Sequence, residues 1–163
     1  VLSEVVPWVN GIKEGTQRSY QQAENQCVLV SEVPWKQGLI EGVQKVYYPD
    51  GKLRGETTFV GGVSSGPSKT YAPDGSLLRE SEMKDGKRVG ELKDYWPGTK
   101  QVKKIIPYHE GLVEGMVRDY YKDGKLKRET TFQKDRMHGE DRFYTPDGKL
   151  ERVELWKDGD KQP

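Results

Sequence analysis

The chain of 163 residues holds a single cysteine, Cys27, and two histidines, His109 and His138. One thiol excludes an internal disulfide. So few soft ligands also argue against a metal site, which needs several converging side chains. No run of eighteen apolar residues occurs, and this excludes a membrane-spanning helix. Twenty-seven basic residues stand against twenty-six acidic ones, for a net charge of +1. That balance makes no electrostatic case for nucleic acid or for an acidic membrane surface. Apolar residues are scarce too, at 33% with a mean hydropathy of −0.91, figures that by themselves lean toward disorder.

The aromatic residues argue otherwise, because nine Tyr, four Trp and three Phe recur on a schedule. The unit is clearest from Trp35 to Phe59: two glycines four apart, a tyrosine five after the second, a Pro-Asp-Gly turn, a leucine, and an aromatic that opens the next copy. The second glycine falls at Gly15, Gly42, Gly66, Gly90, Gly115 and Gly139, and the tyrosine at Tyr20, Tyr47, Tyr71, Tyr95, Tyr120 and Tyr144. The first glycine runs Gly11, Gly38, Gly62, Gly86 and Gly111, departs at Asp135, and returns at Gly159. A fixed period of this size implies stacked supersecondary units, which bury one another's stripes with fewer aliphatics than a two-layer domain needs.

Each column has a physical task. The turns at Pro49-Asp50-Gly51, Pro73-Asp74-Gly75, Lys122-Asp123-Gly124 and Pro146-Asp147-Gly148 have the chemistry of a type I turn closed by a left-handed glycine, so they are hairpin tips. Spacings of six from Tyr47 to Leu53 and from Leu53 to Phe59 place all three side chains on one packed face if the strand has no further bulge. The expected fold is therefore all-β: a single-layer antiparallel meander of about six and a half hairpin repeats, roughly thirteen strands and about 60 Å long at 4.8 Å per strand. Residues 1–163 form one array, with 1–34 a capping repeat, 35–155 repeats two to six, and 156–163 a partial seventh. The first turn, Gln21 to Gln26, is long and lacks Pro-Asp-Gly, as a cap allows. In the fourth repeat Trp96-Pro97-Gly98-Thr99 replaces the usual turn with one residue inserted, so the array either bends there or receives a partner. Cys27 shares strand parity with Leu29, which predicts a packed, unreactive thiol.

Gly62-Val63-Ser64-Ser65-Gly66 fits the G-x-S-x-G nucleophile elbow, but that motif needs a following helix, and here Pro67 and another strand follow. The same positions one repeat earlier are Gly38 to Gly42, so the glycines belong to the repeat. His109 and His138 occupy connector columns, and turn chemistry alone explains the aspartates. No catalytic residue, cofactor or metal site is expected. Three residues after each second glycine the chain is basic: Arg18, Lys45, Lys69, Lys93, Arg118 and Arg142. This ladder suits an acidic surface or lipid phosphates. It equally suits shielding of the tyrosines while pairing with Glu32, Glu56, Glu80 and Glu129. By parity Tyr48, Trp96, Tyr121 and Phe143 share the opposite face and offer aromatic anchors for a partner.

The glycine pair, the tyrosine, the Asp-Gly turn, the recurring aromatic and Met137-His138-Gly139 together resemble MORN repeats, most closely the variant in bacterial YwqK-type antitoxins. Asp135 and the turn at Trp96 depart from that pattern. The resemblance implies a non-enzymatic binding module, an antitoxin or effector immunity protein whose partner is a toxin, or alternatively a scaffold or anionic-phospholipid module of the cell envelope. The first residue, Val1, is not methionine, which fits removal of a preceding segment such as a signal peptide. A periplasmic location is expected, with the cytoplasm as the alternative.

Overall fold

The computed structural model describes residues 2–23 and 26–163. All but two short strands form one long antiparallel sheet that follows chain order, while Trp8–Val9 and Ile12–Lys13 pair as a separate small hairpin. From Leu2–Val5, through Gly15–Ala23 and Gln26–Lys36, the sheet runs strand by strand to Leu150–Lys157, closed by the short Asp160–Lys161. Among the described residues thirteen strands have four residues or more. Among the described residues the long strands follow chain order in the sheet, so the meander needs no crossover.

Two turn types alternate, each following from its residues. At the first-glycine column both central residues take positive φ: Gln37 at 51° with Gly38 at 80°, Asp85 at 49° with Gly86 at 78°. That pair of values is the two-residue type I′ hairpin, whose twist matches the flanking strands. Asp135 keeps the geometry without a glycine, at φ 66°. Its carboxylate accepts the Val113 N–H at 2.7 Å while its own N–H donates to the Val113 carbonyl at 3.0 Å. The same backbone bond ties each connector to the one before, from Gly38 to Lys13, Gly62 to Ile40, Gly86 to Ser64 and Gly111 to Arg88. Glu14 and Glu41 reinforce it by accepting the Gln37 and Gly61 N–H groups at 2.7 Å. At the opposite tips Asp50, Asp74 and Asp123 accept the N–H two residues on, the Asx geometry that explains aspartate there.

The tip turns decide the faces, and here the expected packing is corrected. Tyr47 pairs with Leu53, but Val46 pairs with Gly55, so Arg54 is an extra bulged residue. The same shift recurs beside Tyr20, Tyr95, Tyr120 and Tyr144. One extra residue reverses parity, so Phe59 lands opposite Gly42, on the other face from Tyr47 and Leu53. Trp35, Tyr108, Phe132 and Trp156 lie likewise against Gly15, Gly90, Gly115 and Gly139. Besides Ala72 beside its tip, the buried side chains Ser19, Leu92, Val117, Thr130 and Asp141 fall on this second face, since their chain neighbours Arg18, Lys93, Arg118, Glu129 and Arg142 hold the tyrosine face. Packing therefore centres on the aromatic starters and a row of small side chains.

Other expectations meet the geometry individually. Cys27 is exposed, not packed. Towards Cys27 from Ser31 its strand has no partner on the side of Gly42–Tyr47 among the described residues, and its thiol donates to Gln22 Oε1 at 3.3 Å. The first turn's centre, residues 24 and 25, lies outside the described residues. Ser64 sits within the strand Val63–Tyr71, which runs on where the elbow requires a helix. The inserted residue of the fourth repeat is absorbed in its tip, where Trp96 N–H reaches the Gln101 carbonyl at 2.9 Å. Pairing of Lys93 with Ile105 continues undisturbed.

Candidate aromatic-basic groove

On the tyrosine face, register converts two columns into one row. Arg18, Glu32, Lys45, Glu56, Lys69, Glu80 and Lys93 lie directly opposite one another, strand after strand. Ile105 interrupts the row, and Arg118, Glu129 and Arg142 resume it up to Val153. Acid and base thus alternate, and the cations form no uninterrupted positive stripe. Each glutamate also accepts a tyrosine hydroxyl: Glu32 from Tyr47 at 2.6 Å, Glu56 from Tyr71 at 2.8 Å, Glu80 from Tyr95 at 2.5 Å and Glu129 from Tyr144 at 3.0 Å. The Tyr47 hydroxyl first, and the Arg18 guanidinium with it, hold Glu32 below the usual carboxylate range.

Burial, and then the bond to glutamate, push the Tyr47, Tyr71 and Tyr95 phenols up to about 12. A folded value raised above the unfolded one means that their contribution to stability is complete below about pH 10 and is lost as pH climbs through about 12. Alkaline titration in the near ultraviolet should accordingly show three phenols ionising late, together with loss of the strand circular dichroism. Ionisation of every tyrosine near pH 10 with the sheet intact would contradict this arrangement.

The opposite face carries a different surface in repeats four to six. An open groove of about 530 Å³ is lined by Trp96, Tyr121 and Phe143 with Lys103, Lys104, Lys127, Arg128 and Arg152, beside Asp119 and Glu151. Bulges build it. Lys103 and Lys127 are the extra residues after Val102 and Leu126, and the bulge sets each next to the aromatic that begins the preceding tip. Lys103 Nζ lies 5.0 Å from the centre of the Trp96 ring, Lys122 Nζ 5.4 Å from the same ring, and Lys127 Nζ 5.7 Å from Tyr121. Phe143 is held between two guanidinium groups, Arg128 at 4.7 Å and Arg152 at 3.6 Å. Such stacking is electrostatically favourable and shields the rings from water.

Beneath the groove is a buried ion pair. Asp141 has no exposed surface. It accepts from Arg128 Nε and Nη2 at 2.7 and 2.6 Å and from Thr130 Oγ1 at 2.8 Å. The carboxylate raises the Arg128 pKa further and fixes its planar group over Phe143. Lys104 pairs with Asp119 at 3.3 Å, and Arg152 with Glu151 and Glu154. Lys103, Lys122 and Lys127 make no ion pair among the described contacts, so this surface carries positive charge that its own acids do not neutralise.

The candidate residues thus do not form one surface. Lys45, Lys69, Lys93, Arg118 and Arg142 stay on the tyrosine face among glutamates; Arg118 pairs with Glu129, Lys93 with Glu91, and Arg142 with Glu140. Trp96, Tyr121 and Phe143 come together in the groove. Tyr48 lies two repeats away, its hydroxyl donating to the Tyr71 carbonyl at 2.8 Å. Tyr121 makes the equivalent bond to the Tyr144 carbonyl at 2.8 Å, so both rings also tie one repeat to the next. Sequence columns missed Lys103, Lys127 and the Arg128–Asp141 pair, although the basic residue after each tip hydrophobe was visible at Arg54, Lys103 and Lys127.

Among the described residues no group of three or more His, Cys, Asp or Glu side chains is arranged to hold a metal ion. His138 lies 3.2 Å from Asp158 and His109 3.7 Å from Glu114, both at exposed connectors. No helix is long and apolar enough to cross a membrane. No curated protein matches the chain. Two segments, residues 40–60 and 113–134, match the MORN repeat variant. Each runs from a connector through the second glycine, the tyrosine and the Asp-Gly tip to the next aromatic. The same unit recurs down the sheet, so over those two segments the chain is similar to MORN-variant repeats, and its other hairpins share their plan.

Proposed function

We propose that this module is an antitoxin or immunity protein that binds a cognate bacterial toxin, in the periplasm, and neutralises it by covering its active site. The supporting observation is the groove, where Trp96, Tyr121 and Phe143 stand together among cations on one face. Clustered aromatics and arginines are the side chains that carry most binding energy at protein interfaces. Neutralisation by occlusion needs an interface of about 1,200–2,000 Å² and no chemistry, and a sheet of about thirteen strands at 4.8 Å spacing has the length for one.

Affinity capture of the tagged protein from its native cells, followed by an activity assay on what is retained, tests this directly. One stoichiometric partner whose toxicity or enzyme activity falls on binding is the expected result. Trp96→Ala and Phe143→Ala should each weaken the complex by tenfold or more, about 1.4 kcal/mol. Retention of anionic phospholipid without a dominant protein, with vesicle binding that weakens as salt rises, would replace this function with the envelope-scaffold one.

A further inference from the structure

We infer that the groove receives an acidic segment of the partner protein, lying across the strands in extended form with a carboxylate at about every third residue. The inference rests on the binding function proposed above and names the chemistry of its partner. Three observations carry it: the unneutralised lysines, the flat aromatic rings beneath them, and the spacing that the sheet imposes.

Along the groove the strands contribute in turn. Trp96 comes from the end of one strand, Lys103 from the next, Tyr121 from the third, Lys127 from the fourth, Phe143 from the fifth and Arg152 from the sixth. With strands about 4.8 Å apart, successive cations of this row stand on the order of 10 Å from one another, with an aromatic between each two. A polyproline II segment advances about 3.1 Å per residue and presents every third side chain on one side, hence one carboxylate per roughly 9 Å. Its intervening residues would lie against Trp96, Tyr121 and Phe143, where proline and aliphatic side chains find apolar contact. A helix matches less well, since at 1.5 Å per residue the same step falls between six and seven residues and drifts around its axis. Asp119 and Glu151, which also line the groove, disfavour a continuous polyanion, which would meet both carboxylates with no uncharged residue to place there.

Fluorescence titration and calorimetry with a synthetic Glu-Pro-Pro repeat of twelve residues test the inference, with Gln-Pro-Pro of equal length as the control. Trp96 in the groove supplies the optical signal. The glutamate peptide should bind in low salt, the glutamine peptide at least tenfold more weakly, and Lys103→Gln/Lys122→Gln/Lys127→Gln should lose at least tenfold for the glutamate peptide. Lys103 and Lys127 line the groove and Lys122 stands over its Trp96 ring; all three are exposed and hold no described ion pair, and unchanged thermal unfolding will show that the variant is folded. Equal binding of both peptides, an unaffected triple variant, or tighter binding of single-stranded DNA or anionic vesicles than of the glutamate peptide would each overturn it. Toxin neutralisation that survives the triple substitution would remove the acidic segment and leave the antitoxin function standing. Peptide binding by a protein that neutralises nothing would do the reverse.

Discussion

Arg128→Ala is expected to destabilise the protein by about 3–5 kcal/mol, the range for breaking a buried ion pair by removing one partner. The reason is the asymmetry of the pair: Asp141 is wholly buried, whereas the Arg128 side chain is 36% exposed. Alanine at 128 strands a carboxylate that keeps only the Thr130 hydroxyl. Asp141→Asn, by contrast, leaves an arginine that can turn to water, so it should cost clearly less. For a chain of this length the larger loss corresponds to a fall in melting temperature of about 10 °C. Urea unfolding followed by both circular dichroism and tryptophan fluorescence measures it and checks that the array unfolds as one unit. A loss below about 1 kcal/mol for Arg128→Ala, or a larger one for Asp141→Asn, would show that the pair contributes little. Because Arg128 also stacks on Phe143, the same substitution should loosen the groove.

Gly66→Ala should be nearly as damaging, for a backbone reason. Gly66 has φ +117°, and an added Cβ would stand 3.0 Å from Thr58 Cβ and 3.1 Å from its methyl. Backbone strain of about 1–3 kcal/mol then adds to overpacking of about 1–3 kcal/mol. Gly139, in the same column, offers the control. Its φ is +96° but its nearest neighbour, Thr131 Cβ, is at 3.6 Å, an ordinary contact. Gly139→Ala should therefore show the strain without the clash, and equal losses at the two sites in the same urea experiment would refute the steric account.

Much of this architecture is written locally. Positive-φ pairs such as Gln37-Gly38 and Asp85-Gly86 sit where the first-glycine column placed a break, and Asp50, Asp74 and Asp123 make the turn bonds that their residue type suggests. The N-terminal strand Leu2–Val5 also has a local sign, since Val5-Val6-Pro7-Trp8 has the form of Glu32-Val33-Pro34-Trp35 and of Ile105-Ile106-Pro107-Tyr108. Val5 pairs with Arg18, from the side opposite Glu32. Its apolar side chain in that row disguised the repeat.

The groove was less legible. Trp96, Tyr121 and Phe143 could be assigned to one face by alternation, but Lys103 and Lys127 reach that face only because each is the unpaired residue of a bulge. Arg128 and Asp141 are thirteen residues apart, on adjacent strands with no local signal linking them. Their approach depends on the register between those two strands, which sets Arg128 opposite Phe143 and Thr130 opposite Asp141.

The sequence by itself determined the period, the two kinds of turn and hence the order of strands, because those depend on φ preferences and hydrogen bonds within a few residues of each glycine or aspartate. Only the tertiary structure decided which face holds the aromatic starters, that the basic column alternates with glutamates, and that uncompensated lysines gather over Trp96 and Tyr121. Each of those outcomes turns on one bulged residue per hairpin, and a shift of one residue exchanges the two faces of a strand while leaving its local preferences unchanged.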